Sequence, residues 1–452
     1  MKTRQQRFEH LFGELASKQL ISGTVLAAEN GQIIYQAAFG DADLTTGRKL
    51  TTGSVFELAS LSKPITAMGM VHLMERGKLS FDDLIAKWIP ELPYQGITIR
   101  HLLCHTSGLP EYMNLFFDHW DRRKIATNQD VLDMLIQHQP PVFFAPNERW
   151  LYSNTGYIML AIIIERVTGK SFASFMKQHL FAPLKMNRTL VYNRRLKREL
   201  IEDYAYGYVY DLFADRFELP DLVTDTEFVF FLDGMQGDGA VNSNLQDLLR
   251  FDQALYSGEL VSQQTLEEVF SPVRLNNGES INYGLGWRLE QSVEKGRIMS
   301  HPGRWSGYKT ILNHYHDHRR TLIYLRNKEQ DVDFEEAIIL AAENILFDLP
   351  YEIPAAPKEK KLAKIDPALY DSYVGTYLLE NEEGMAAVIE TEEGRLFLKV
   401  TGKVRDGLYP ASDTRFFVST GPVEVEFLKD ETGRVNKIIL FLNGEERQAQ
   451  RL

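Results

Sequence analysis

Apolar and polar residues alternate with different periods along the chain, and the changes of period mark out its elements. The opening stretch MKTRQQRFEHLFGELASKQ places its apolar residues at helical spacing and reads as an amphipathic helix. GTVLAAENGQIIYQAAFG (23–40) then gives two alternating, β-prone runs around Asn30-Gly31, the dipeptide favoured in a type I′ hairpin. From residue 57 to about 270 helical periods and loops dominate. The pattern predicts helices over 60–76, 129–138, 155–169 and 244–257, the last opened by a capping box at Ser243-Asn244-Leu245-Gln246. In the first of these, Ile65, Met68, Met70, Leu73 and Met74 direct one face at a core. Strand patterns return at 283–290, 297–301, 308–315 and 321–327, and a helix is predicted over 333–347.

Strands, a helical insertion, more strands and a final helix suggest an α/β protein of the α+β kind. The early hairpin pairs with the late strands in one antiparallel sheet, the terminal helices cover it, and the insertion forms a helical lobe with a cleft between. DLPYEIPAAPKEKKLAKID (348–366) is rich in proline and lysine and has little periodicity, so it reads as a linker. Beyond it, YVGTYLL, MAAVIETE, RLFLKVT, TRFFVST, VEVEFLKD and KIILFLNG are short strands that predict a small antiparallel barrel or sandwich. The expected division is a domain over 1–350, a linker over 351–365 and an all-β domain over 366–452.

Composition narrows the function. The chain is 44% hydrophobic and 25% charged, as globular proteins are, and 62 acidic against 50 basic residues give a net charge of −12. That balance argues against a nucleic-acid partner, and no basic run with interleaved aromatics offsets it. Cys104 is the single cysteine, so no internal disulfide forms, which fits a reducing compartment. The N-terminal helix has no apolar signal core and no later segment is long enough to span a bilayer. The expectation is a soluble cytoplasmic protein, with export by a non-standard route left open.

Three short stretches carry candidate chemistry. In ELASLSKPITAMGM (57–70), Ser60 and Lys63 lie one turn apart at a helix start, where Pro64 is tolerated and unpaired N–H groups face outward. A hydroxyl there has a nearby base and positive partial charge for an oxyanion. In WLYSNTGY (150–157), Tyr152 and Asn154 point the same way from an extended segment. Tyr152 can exchange a proton with Ser60 or a leaving group, and Asn154 can orient Lys63 or hold a substrate carbonyl. In SHPGRWSGY (300–308), His301-Pro302-Gly303 ends a strand, and the Arg304 N–H can complete an oxyanion hole with that of Ser60. Each stretch alone also fits a capping residue, a core tyrosine or a strand-end turn. The alternating histidines of HYHDH (314–318) read as exposed strand-end residues rather than metal ligands, and neither metal nor organic cofactor is expected.

Taken in order, S-x-x-K, Y-S-N and H-P-G resemble the S-x-x-K, Y-x-N and K-T-G motifs of penicillin-binding proteins and class C β-lactamases. LLCHTSGLP (102–110), GDGAVNSNLQDLLRF (237–251) and YGLGW (283–287) also resemble that family, over roughly residues 5 to 350. The resemblance implies the β-lactamase/transpeptidase-like fold and a serine hydrolase working through an acyl-enzyme. Ser60, Lys63 and Tyr152 would be catalytic. Asn154, His301, Gly303 and Arg304 would bind substrate or its oxyanion. His301 and Pro302 depart from the family's lysine and hydroxyl residue, which help bind a substrate carboxylate. H-x-G is similar to the version in esterases, D-aminopeptidases and D-amino-acid amidases. The expected substrate is therefore a small ester, an amide or a short peptide. A D,D-carboxypeptidase or weak β-lactamase is the alternative enzyme, and a non-catalytic sensor or scaffold the alternative of another class. The tail resembles the lipocalin-like C-terminal domain of some of these hydrolases, and a homo-oligomer is compatible with the resemblance.

Overall fold

The early hairpin and the late strands meet in one antiparallel sheet. The computed structural model describes residues 2–452 except 198, 259, 359, 381–383, 402–404, 420–422 and 443–444. The sheet's spatial order is Arg288–Ser292, Gly296–Trp305, Tyr308–Tyr315, Arg320–Arg326, Gly23–Glu29, Gln32–Phe39. Strands distant in the chain are neighbours here, with Val25 opposite Tyr324 and Ala27 opposite Leu322. Asn30 and Gly31 have φ of 52° and 75°, the left-handed pair that a type I′ turn requires. The N-terminal helix Arg4–Ser17 carries a Thr3–Gln6 capping box and buries Phe8 and Phe12 against Tyr35, Phe39 and Tyr324. Leu245–Ser257 packs on the neighbouring strands Arg320–Arg326 and Gly23–Glu29.

Several expectations need correction. The cap of Leu245–Ser257 is Asn244, which accepts from Asp247 N at 3.0 Å, while Ser243 belongs to a short strand, Val241–Ser243. The predicted strand at 283–290 begins only at Arg288. The YGLGW segment is a tight turn instead, with Gly286 at φ 86° and the Gly284 backbone against Val269 O. His314 is not exposed: it is fully buried, with Nδ1 2.7 Å from Asp252 Oδ1.

The inserted lobe contains helices Ser62–Glu75, Tyr112–His119, Asn128–His138 and Asn154–Thr168. Its spacing predicted one buried face for Ser62–Glu75, yet every residue from Ser62 to Leu73 is buried. Helix Asn154–Thr168 of the lobe covers this helix on one side and strand Gly296–Trp305 of the sheet on another, which suits a segment with few charged residues.

The chain forms two compact units. The elements above lie in the larger, apart from its Val332–Leu346 helix, whose first residues belong to the smaller. The smaller unit contains Tyr210–Phe217, Gln330–Ile338 and Pro354–Leu452. Its centre is a closed eight-stranded antiparallel barrel. The barrel closes by pairing Gly375–Leu379 with Glu445–Arg451, with Leu379 opposite Ala449. Tyr377, Ile389, Leu398, Phe416, Val425, Phe427, Ile438 and Leu440 fill its interior. Two strands escaped the sequence pattern. Asp406–Pro410 contains both Gly407 and Pro410, and Glu445–Arg451 offers Ala449 as its one apolar residue. Parts of two predicted strands, at Thr420 and at Asn443-Gly444, lie outside the described residues. The same unit holds Phe213, whose ring centroid is 5.7 Å from that of Tyr409 and 4.5 Å from the Arg395 guanidinium carbon.

Candidate active site

Ser60 lies on a short 3-10 turn, Ala59–Leu61, that feeds directly into Ser62–Glu75. The helix proper thus begins two residues later than Ser60, and Pro64 occupies its first turn, where no intrahelical N–H bond is lost. Ala59 has φ 51°, a left-handed conformation that an L-residue holds only when its surroundings enforce it. The adjoining strand supplies that enforcement. A Cβ built on Gly303 would lie 2.1 Å from Leu58 O and 3.0 Å from Leu61 N, so only glycine lets the strand approach the turn. Thr310, opposite Gly303, donates its hydroxyl to Leu58 O at 2.6 Å.

Lys63 is 0% exposed and makes no ion pair among the described residues. Its Nζ lies 3.1 Å from Ser60 Oγ, 2.9 Å from Asn154 Oδ1 and 2.8 Å from the Asp238 carbonyl oxygen. The loop supplying Asp238 is tied to the same helix one turn on, where Thr66 Oγ1 donates to Gly237 O at 2.8 Å. Gly237 has φ 106°, and a Cβ there would meet Tyr157 O at 2.5 Å.

Asn154 is the first residue of its helix, and Ser153 is the cap, accepting from Gly156 N. Glu111 fixes the Asn154 amide: Asn154 Nδ2 and N both lie 3.3 Å from Glu111 Oε2, which leaves Oδ1 for Lys63. Burial pushes the Glu111 carboxyl up to about 7, against the pull of the Met113 and Asn154 N–H groups. Burial likewise raises the Asp238 carboxyl, opposed first by the charge of Lys63 and then by the Tyr112 hydroxyl, which donates at 3.1 Å.

Tyr152 presents its ring to Lys63, with Nζ 4.9 Å from the centroid. Its hydroxyl has no hydrogen-bond partner among the described residues. Its other neighbours are His105, at 4.4 Å between ring centroids, and His301, at 6.2 Å. His301 is 1% exposed and both its nitrogens are engaged, Nε2 with the Tyr283 hydroxyl at 3.1 Å and Nδ1 with Pro302 O at 2.7 Å. The side chain expected to face substrate therefore faces the protein interior. Burial, and next the charge of Lys63, hold its imidazole well below the usual histidine range. Arg304 follows Gly303 in the strand, opposite Lys309, and is exposed.

The structure thus gathers Ser60, Lys63, Tyr152, Asn154 and Gly303 around one point, and sets His301 behind Tyr152. Sequence reasoning missed His105, Glu111, Tyr112, Asp238 and Tyr283. A signal for three of them was present, since His105, Asp238 and Tyr283 lie inside the three stretches that resembled the family beyond its motifs.

Residues 8–344 match the β-lactamase family, and residues 359–451 match a domain of unknown function, DUF3471. Penicillin-binding protein 4* of Bacillus subtilis (strain 168) is 52% identical over 100% of this chain and 99% of its own length. An octameric penicillin-binding protein homologue from Pyrococcus abyssi aligns with 98% of this chain and 99% of its own at a TM-score of 0.63. Its identity of 21% speaks for the fold alone. D-amino acid amidase from Ochrobactrum anthropi SV3, complexed with L-phenylalanine amide, aligns with 76% of this chain and 96% of its own. Its TM-score is 0.61 at 25% identity. The family match over most of the chain and the full-length likeness to a penicillin-binding protein agree with the site's geometry, and the chain belongs to the β-lactamase and penicillin-binding-protein family of serine hydrolases.

Proposed function

We propose that Ser60 is acylated by a small uncharged ester, or by a D-amino-acid amide or peptide, and that Lys63 takes its proton. The observation that carries this reading is the set of contacts at Lys63. Two of its three partners are carbonyl oxygens, which only accept. Once it has given up a proton, the amine can keep its two hydrogens on them and turn its lone pair to the third partner, the Ser60 hydroxyl 3.1 Å away. The hydroxyl proton then passes to Nζ as Oγ bonds to the substrate carbonyl carbon. The N–H groups of Ser60 and Arg304 hold the oxygen that becomes negative. Collapse breaks the bond to the leaving alcohol or amine, which takes the proton back, relayed by Tyr152. Water repeats the sequence in reverse to release the acid.

The third motif favours substrates without a carboxylate. Pro302 has no hydroxyl, and the buried His301 presents no cation. A charge-assisted contact of that kind is worth about 1.5–3 kcal/mol. A β-lactam that depends on it loses roughly one to two decades in binding, while p-nitrophenyl butyrate loses nothing. The test is kcat/KM for that ester against a chromogenic cephalosporin. Higher values for the ester are expected, and a clear preference for the cephalosporin overturns the substrate assignment. Failure of a fluorophosphonate to label Ser60 would favour a non-catalytic sensor.

The tail is proposed to be a separate module from about residue 366, with side chains rather than a ligand filling its lipocalin-like barrel. A chain ended at residue 350 should stay folded and label at Ser60. It loses the ring contacts of Phe213 with Tyr409 and Arg395, so Phe213→Ser should improve its solubility. An unfolded truncation, with or without that change, would show that the tail completes the hydrolase domain. A cytoplasmic setting is part of the same reading, supported by the single, buried Cys104. No helix among the described residues is long and apolar enough to cross a membrane. A homo-oligomer is also proposed, on the octameric state of the Pyrococcus abyssi homologue.

A further inference from the structure

Three buried side chains behind the site form one line: His105, Tyr283 and His301, at 0%, 2% and 1% exposure. His105 Nε2 is 3.0 Å from the Tyr283 oxygen, and that oxygen is 3.1 Å from His301 Nε2. The two ends of the line fix its protons. Ser153 N–H, which only donates, points at His105 Nδ1 from 3.1 Å. That nitrogen is therefore bare, and the His105 proton sits on Nε2, directed at Tyr283. The Tyr283 hydroxyl, having accepted once, gives its own hydrogen to His301 Nε2. His301 then carries its proton on Nδ1, facing the Pro302 carbonyl, which only accepts. Every donor in the line meets an acceptor. A second proton on His105 would set Nδ1–H against the Ser153 N–H. A second proton on His301 would set Nε2–H against the Tyr283 hydroxyl hydrogen and turn that hydrogen away, toward the Tyr157 oxygen.

The line reaches the chemistry through Tyr152. His105 accepts the N–H of Ser153 at Nδ1 and, through its carbonyl oxygen, the N–H of Leu151 at 3.0 Å. It thus grips the residues on both sides of Tyr152, and the two rings lie 4.4 Å apart at 36°. His105 holds this position with φ 62°, a left-handed conformation fixed within a fully buried site. At the other end, His301 is two residues before Gly303, the glycine that meets the nucleophile turn. We infer that His105, Tyr283 and His301 are positioning residues, a chain of opposite imidazole tautomers that fixes Tyr152 relative to Ser60 and the Gly303 strand. Lys63 and Arg288 are the charged groups facing both imidazoles, and with burial they disfavour a cation at either.

This inference rests on the proposed role of Tyr152, but its first test does not need activity. Imidazole 15N spectra of the full chain, assigned with single-histidine variants, read each tautomer directly. His105 is expected as the Nε2–H form and His301 as the Nδ1–H form, both neutral at pH 6. Matching tautomers, or an imidazolium at either position, would overturn the inference even if Ser60 proves to be the nucleophile. Tyr283→Phe removes the central hydroxyl while both ends keep their partners. Both Nε2 resonances should then move while the tautomers persist. With Tyr152 less firmly held, kcat should fall about 10- to 10²-fold with KM little changed. An unchanged kcat, or a loss confined to KM, would reject the positioning role. Should wild-type Ser60 resist fluorophosphonate, the nucleophile assignment fails while the tautomer result still stands or falls alone.

Discussion

Ser60→Ala is expected to lower kcat for ester hydrolysis by about 10⁴-fold or more, because no other group at the site can form the acyl-enzyme. The fold should survive. Ser60 Oγ touches Lys63 Nζ, and that nitrogen keeps its two carbonyl partners when the hydroxyl is gone. Ser62 provides the control on the same turn. It is 0% exposed, and its Oγ accepts the Val241 N–H at 3.1 Å. Ser62→Ala leaves that buried N–H without a partner, at a cost of about 1–3 kcal/mol, without touching the reacting atoms. The two variants should therefore separate, one losing turnover at unchanged Tm and the other losing Tm while still labelling at Ser60. Hydrolysis near the wild-type rate in Ser60→Ala would discard the mechanism.

Lys63→Met and Tyr152→Phe should each lower kcat by roughly 10²-fold or more, as removal of a positioned proton carrier does. Their losses should fall well short of multiplying in the double variant, since both groups would serve one proton transfer. The contacts give each change a distinct side effect. Lys63→Met strands the Asn154 and Asp238 carbonyl oxygens in a buried site, so stability should fall as well. Tyr152→Phe removes a hydroxyl that has no partner among the described residues, so stability should hold. Single-turnover acylation rates of the four proteins make the comparison, and fully multiplicative losses would show two independent roles.

The same residues show how far the sequence reached. S-x-x-K was legible because both groups lie within one turn of chain, which leaves them able to meet, at 3.1 Å here. Y-S-N and H-P-G were legible as candidates, but their partnership came from the order of motifs rather than from any local contact. Expectations failed where a side chain's surroundings come from elsewhere in the chain. His301 read as a substrate-facing group, yet Tyr283, brought beside it by the turn at YGLGW, takes its nitrogen. Glu111 stayed invisible because a lone carboxylate in a loop says nothing of its burial, and the role of Asp238 was hidden because it serves Lys63 through its backbone oxygen.

The sequence by itself determined the local units: the Asn30-Gly31 hairpin, the long helices, the alternating barrel strands and the Ser60–Lys63 pair. Each depends on periodicity, turn chemistry or spacing within a few residues, which the chain carries wherever it folds. Only the tertiary structure decided that Glu445–Arg451 is the strand closing the barrel, since backbone pairing with Gly375–Leu379 needs no apolar pattern. It alone set Gly303 against the turn of Ser60 and Asp238 O against Lys63, and ran His105, Tyr283 and His301 into one line. Those contacts join residues as much as 245 positions apart, as Leu58 and Gly303 are, and packing of the whole lobe and sheet, rather than any local preference, fixes them.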